Sequence, residues 1–204
     1  MAEAWLRRRF LQLGMSGIGI GLAGCQSSEK TESPTVSNIG AAPAPSCPNG
    51  YQPLDPFYVV ESSRPMDGFD LTLNKETYSV GETLVAELVN VTDETRSTGV
   101  KRKFDIQYAA ANGYHSIFGI PEDEDPIWPK VGIRHPPDEG FTWELPLSYE
   151  GLSEGQIESA PSLQACQQIK PGQYRFVFWG ITTPRERSGG KEGGFGVPFT
   201  VLED

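Results

Sequence analysis

Apolar and polar residues alternate along short stretches of this chain, and no stretch carries the three-to-four-residue apolar period of an amphipathic helix. Successive side chains of an extended strand point to opposite faces, so Phe69-Asp70-Leu71-Thr72-Leu73 reads as a strand with one buried side. Residues 83–90 continue with Leu84, Ala86 and Leu88 on one side, and Ser79-Val80-Gly81-Glu82 reads as the turn between them. The same pattern predicts strands at 104–109, 114–117, 141–147, 173–179 and 195–201. Asn112-Gly113 is expected to turn a hairpin, because both residues tolerate positive φ, and Pro171-Gly172 to turn the chain before residue 173. A short helix fits only within 153–168, where Pro161 would interrupt it. Seven short strands without a convincing helix predict an all-β, antiparallel sandwich.

The sequence ahead of this block divides into three parts. Residues 26–46 are mainly Ser, Thr, Pro, Ala and Gly, which bury too little to offset their ordering entropy, so a disordered tether is expected. Prolines 48, 53, 56 and 65 predict an extended arm over 47–68, attached to the domain through Cys47 and packed by Phe57, Tyr58 and Val59. The N-terminal part, 1–24, runs from Arg7-Arg8-Arg9-Phe10-Leu11 through an apolar stretch diluted by Gly14, Gly17, Gly19 and Gly21 into Leu22-Ala23-Gly24-Cys25. A membrane-spanning helix needs ~20 mostly apolar residues, so this shorter, glycine-rich stretch reads as a processed signal and not as a permanent anchor. The globular domain is left with 69–204.

This N-terminal segment resembles the signals of lipoproteins exported by the twin-arginine (Tat) route. Arg7, Arg8, Phe10 and Leu11 match the export signal, and Leu22, Ala23, Gly24 and Cys25 match the lipobox. Leu6 and Gln12 depart from the usual export pattern, which keeps the Sec route as the alternative. The resemblance implies cleavage before Cys25, acylation of its thiol, and a lipid-anchored protein on the extracytoplasmic face of the cell membrane.

Charge narrows the partners. Asp and Glu number 27 against 17 Lys and Arg, giving a formal net charge of −10, and removal of the signal takes away three of the arginines. Nucleic acid is excluded as a partner, because neutralising phosphates requires basic patches. Adhesion to anionic lipid headgroups is excluded on the same ground, so membrane attachment must come from the lipid on Cys25. The carboxylate surplus suits high salt, and together with the signal it resembles haloarchaeal proteins; an acidic bacterial lipoprotein is the other reading. With Cys25 acylated, Cys47 and Cys166 are left as a disulfide candidate in an oxidising compartment, against the alternative of two unpaired thiols.

Within residues 69–202 the stretches Leu71-Thr72-Leu73, Tyr78-Ser79-Val80-Gly81-Glu82, Glu87-Leu88-Val89-Asn90-Val91-Thr92-Asp93-Glu94 and Lys170-Pro171-Gly172-Gln173-Tyr174-Arg175 look like a bacterial immunoglobulin-like domain. They are also similar to the fold of the BsuPI-type intracellular proteinase inhibitors. The resemblance implies a fold and carries no activity, since no reactive-site motif accompanies it. The bare residues have structural roles: Gly81 and Gly172 permit turns, Asn90 can end a strand, and the hydroxyls of Tyr78 and Tyr174 can reach backbone acceptors.

Motifs for chemistry are weak. Gly19-Ile20-Gly21-Leu22-Ala23-Gly24 spells a dinucleotide fingerprint, but no helix follows it. Residues 189–194 resemble a phosphate loop only at a glance. No His or Met follows Cys166, which excludes a blue-copper site, and the spacing of His115, His135 and Glu139 matches no compact zinc pattern. Ser116 beside His115 invites a hydrolase reading, yet no nucleophile elbow surrounds any serine. Glu122-Asp123-Glu124-Asp125 lacks the spacing of a calcium loop and reads as solvated. Asn90-Val91-Thr92 is a glycosylation sequon, which makes Asn90 a candidate acceptor. The long segment 119–140 offers Trp128, Arg134 and His135 as partner-binding candidates, with Trp128 equally suited to capping the core.

The expectation is therefore a non-catalytic immunoglobulin-like binding or structural module without cofactor or metal, serving an unidentified envelope or extracellular protein. A protease inhibitor or envelope-protein chaperone is the nearest alternative, and an exported hydrolase is the third.

Overall fold

The alternation read from the sequence is carried through in a computed structural model that describes residues 44–54, 58–61, 65–123, 131–153, 163–181 and 193–203. These all fall in one compact unit, Asn38–Asp204. In chain order the elements are β1 (Tyr51–Pro53), β2 (Tyr58–Glu61), β3 (Phe69–Leu73), β4 (Thr77–Ser79), β5 (Thr83–Asn90), β6 (Arg96–Thr98) and β7 (Phe104–Ala110). They continue with β8 (Gly113–Ser116), β9 (Phe118–Pro121), β10 (Ile133–His135), β11 (Gly140–Pro146), α1 (Tyr149–Ser153), β12 (Gln164–Ala165), β13 (Gly172–Phe178) and β14 (Gly193–Leu202). The chain is an all-β sandwich. The seven expected strands are β3, β5, β7, β8, β11, β13 and β14; β3 and β5 keep the expected ends and the others shift by one or two residues.

Those seven strands, joined by β2 and β4, make the two facing sheets. A three-stranded antiparallel sheet has the order β11-β5-β3, and a six-stranded sheet runs β2-β14-β13-β7-β8 with β4 also paired to β14. The alternating apolar residues meet between them: Phe69, Leu71, Leu84, Ala86, Leu88, Trp143 and Leu145 from the first, Phe104, Ile106, Tyr174, Phe176, Phe178, Phe195 and Phe199 from the second, all buried. Trp143 lies at the centre, its ring 5.1 Å from Phe176 and 5.4 Å from Phe178, with its Nε1 donating to the Lys101 carbonyl at 3.0 Å. Truncating such a ring in a packed core costs roughly 3–5 kcal/mol.

Four local outcomes differ from the expectations. The six-stranded sheet is not wholly antiparallel, because β2 and β4 run parallel to β14; both arrive by crossovers and not by hairpins. In the β7–β8 hairpin Ala110 pairs with Gly113, so Ala111-Asn112 form the loop and only Gly113 takes positive φ, at 121°. A helix forms at Tyr149–Ser153, where Ser148 starts it, its Oγ accepting from the Gly151 N–H at 3.0 Å; of the span 153–168, Gln164–Ala165 is β12 and residues 154–162 lie outside the described residues. Finally, the two tyrosines differ. Tyr174 donates to the Lys170 carbonyl at 2.8 Å and accepts from the Lys170 N–H at 3.1 Å, and burial pushes its hydroxyl up to about 12. Tyr78 instead donates to a side chain, Asn74 Oδ1, at 2.7 Å.

The arm is joined to the sandwich. Cys47 and Cys166 form a disulfide across a sequence separation of 119, and β1, β9 and β12 form a small sheet in the order β1-β9-β12. Gly119 of β9 lies directly under the bridge: a Cβ there would fall 2.6 Å from Cys166 Sγ and 2.8 Å from Cys47 Sγ. The signal at 1–24, Cys25, the tether up to residue 43, Phe57 and Trp128 lie outside the described residues.

Candidate binding groove

The edge of the smaller sheet is set by the pairing parity of β3. Asn74 N–H donates to the Val85 carbonyl at 3.0 Å and Val91 N–H to the Gly68 carbonyl at 2.9 Å, so residues 68, 70, 72 and 74 direct their main-chain groups toward β5. Residues 69, 71 and 73 therefore direct theirs away from it. Phe69 closes on Met66, exchanging bonds of 2.8 and 2.9 Å. Leu71 and Leu73 remain, and among the described residues no protein group bonds to their outward N–H and C=O.

Beside this edge lies a groove of about 710 Å³, lined by residues 70–73, Lys75 and Glu76 on one side and by Gln173 and residues 197–200 on the other. It sits where β3 of one sheet faces β14 of the other. Leu71, Leu73, Val197 and Phe199 supply apolar lining, and Asp70, Lys75, Glu76, Gln173 and Thr200 supply polar groups. Lys75 is engaged by Glu82, whose carboxyl is held below its ordinary range first by that bond and then by the Ser79 N–H. Alternation also turns Asp70, Glu87 and Glu144 toward the outer face of the three-stranded sheet, and its strands contain no Lys or Arg. The groove thus has an apolar interior, free main-chain groups and an acidic flank.

The residues singled out from the sequence are dispersed. Arg134 is exposed on β10, paired with Ser97. His135, one residue on, points the other way and is 3% exposed. Its Nε2 lies 2.8 Å from Thr98 Oγ1, its ring stands edge-on to Phe141 and Phe69, and burial holds it below its ordinary pKa. A buried ring offers no contact surface, so His135 is removed from the partner-binding set. Asn90 is also corrected. It is fully buried, its Nδ2 donates to the carbonyls of Glu94 (2.8 Å) and His135 (2.9 Å), and its Oδ1 accepts from Thr92, leaving no amide proton free for a glycan.

Ser116 and His115 do not form a dyad, since adjacent strand residues face opposite ways. His115 bonds Asn112 Oδ1 at 2.7 Å, while Ser116 Oγ donates to Asp105 Oδ1 at 2.7 Å and accepts from the Phe118 N–H at 3.0 Å. Asp105 belongs to a buried network missed in the sequence: Gln107 Nε2 donates to its Oδ2 at 2.9 Å, and Arg175 Nε donates to Gln107 Oε1 at 2.7 Å. The Arg175 guanidinium lies 3.9 Å over the Tyr114 ring. Burial pushes the Asp105 carboxyl up to about 7, against the lowering pull of Ser116 and Gln107. Asp105 and Gln107 sit at polar positions of an alternating strand, a signal that reads as solvent exposure; nothing local marks their burial. Among the described residues no cluster of three or more His, Cys, Asp or Glu is placed to hold a metal.

No family model matches the chain, and no curated protein does. Solved structures give distant likenesses. A β-glucosidase from Erythrobacter marinus aligns over 66% of this chain and 15% of its own at 11% identity, with a TM-score of 0.35. A β-glucosidase from Listeria innocua in complex with laminaribiose aligns over 66% and 16% at 15% identity, with a TM-score of 0.31. The sulfur carrier protein SoxY from Chlorobium limicola aligns over 73% and 86% at 7% identity, with a TM-score of 0.26. The chain spans only a small part of the two glucosidases, and none of these likenesses bears on what it binds.

Proposed function

We propose that this chain is a lipid-anchored, extracytoplasmic binding module that acts without catalysis and takes its ligand in the groove beside β3. The observation carrying this reading is the edge at Leu71 and Leu73, unpaired among the described residues, next to an open groove of about 710 Å³. The Leu22-Ala23-Gly24-Cys25 pattern supports the anchor, and the Cys47–Cys166 disulfide agrees with an oxidising compartment. A protease inhibitor or envelope chaperone would use the same edge, and inhibition of a panel of exoproteases by the full chain separates that case. The hydrolase reading loses its proposed pair, because Ser116 is committed to Asp105.

Fractionation of cells making the full-length chain tests the anchor. The native chain is expected in the membrane fraction with an acylated N-terminal peptide by mass spectrometry, and the Cys25→Ala variant in the soluble fraction. Native chain in the cytosol with its N-terminus intact and unacylated sinks the proposal.

A further inference from the structure

We propose that the occupant of the groove is an extended polypeptide segment that adds as a further strand beyond β3, with apolar side chains turned into the groove and Lys or Arg on its outer face. This rests on the reading of the groove as the ligand site and names what the ligand is. Leu71 and Leu73 each present one N–H and one C=O away from β5. That two-residue repeat is the pairing pattern of a β-strand, and small apolar ligands cannot satisfy it. Leu71 and Leu73 both line the groove, so their unpaired main-chain groups border the space an added strand would enter.

Side-chain chemistry fixes the rest of the occupant. A strand added beyond β3 alternates in step with it, placing every second side chain beside Leu71, Leu73 and Val197 and the others beside Asp70 and Thr72. The outer face of that sheet carries Asp70, Glu87 and Glu144 with no Lys or Arg in its strands, so acidic outer residues on the newcomer would meet like charge, and Lys or Arg there complements the face. A second copy of this chain fails to complement it: it brings the same acidic face and a net charge of −10. Its own tether fails too, since residues 26–46 contain no pair of large apolar residues two apart.

The test uses the processed, acylated chain in detergent micelles and a capped nonapeptide of alternating Val and Lys. A twin peptide carries N-methyl groups on the amides of one edge, and a third replaces Lys by Glu. Binding of the first peptide should slow hydrogen exchange at the Leu71 and Leu73 amides, and the N-methylated and Glu peptides should each bind about tenfold more weakly or worse. The Asp70→Lys variant, changed at a position on the outer face, should lose affinity for the Lys peptide and gain it for the Glu peptide while keeping its unfolding midpoint. Equal binding by the N-methylated twin, or unchanged exchange at both leucines, overturns the proposal. If peptides or envelope extract shift Gln173 and Thr200 but leave the Leu71 and Leu73 amides unchanged, strand addition fails and the groove reading survives. If all four positions stay unchanged with both, the two readings fall together.

Discussion

The two sheets end differently on the side where β3 and β14 face each other. Along β14 the outer edge is covered at residues 193–196 by β2 and at residues 200–202 by β4. Between these covers lies Pro198. Thr200 directs its N–H outward to the Glu76 carbonyl at 2.9 Å, and Pro198, two residues earlier, faces the same way with no proton to donate. Along β3 there is no proline, and among the described residues no strand covers it beyond the Met66–Phe69 closure and no group pairs with the outward N–H and C=O of Leu71 and Leu73. Exposed edges invite pairing with other chains, and proteins blunt them with short strands, prolines and charges. A chain that applies two of these devices to one edge and neither to the other retains the second as a place for pairing.

The largest test removes the staple that holds one of the covers. A disulfide closing a loop of this length contributes up to about 4–5 kcal/mol in the chain-entropy account, so Cys47→Ala combined with Cys166→Ala should lower the urea midpoint by a corresponding amount. Among the described residues, the arm that carries β2 then keeps its strand pairing and the packing of buried Leu54 against Ile120 and Trp179. Amides at 193–196 are expected to exchange faster in this variant, while those at Leu71 and Leu73 stay as they were. Unchanged exchange at 193–196 would break the comparison from the β14 side, because the cover would then persist without its covalent tie.

The carboxylates of the two sheets also contrast. Asp70, Glu87 and Glu144 lie toward the outer face of the small sheet, whereas Asp105 is buried in the large one. Burial raises the Asp105 carboxyl from 3.8 to about 7. Below the lower value both folded and unfolded chains hold the proton; between the two values only the folded chain does. Stability from this group is therefore present at low pH, falls as pH rises through that window and is flat above it, with a total on the order of 4 kcal/mol. Asp105→Asn should abolish that part of the pH dependence. Urea unfolding of both proteins at intervals from pH 4 to 8 reads it directly, and parallel curves would show that Asp105 titrates as an ordinary carboxyl.

How far the sequence reveals these contrasts depends on the range of the interaction. The seven sandwich strands are legible because Leu84-Val85-Ala86-Glu87-Leu88 and its counterparts alternate, and because Gly81 and Pro171 mark turns within the same few residues. The remaining strands run to two to four residues, too short for a period, and exist because a distant partner pairs with them. His135 and Asn90 looked available for the same reason that Asp105 looked solvated: polarity predicts exposure, and only non-local packing and paired acceptors overrule it. The groove was not legible at all. Phe69-Asp70-Leu71-Thr72-Leu73 reads identically in a central strand and in an edge strand, and its place is fixed only by which strands flank it.

The smallest expected effect sharpens the comparison at the gap itself. Pro198 is exposed, so Pro198→Thr removes no core contact and returns one amide to the stretch between β2 and β4. Stability should change by less than about 1 kcal/mol, because the greater freedom of the unfolded chain without the ring is the main consequence. The informative reading is exchange at the restored amide. Fast exchange, against slow exchange at the neighbouring Thr200 amide that bonds Glu76, would show a real gap in the cover that the proline keeps from acting as a donor. Protection equal to that of Thr200 would mean that β14 is paired along its whole outer edge. The proline would then guard nothing, and the openness of β3 would have to be explained without reference to its neighbour.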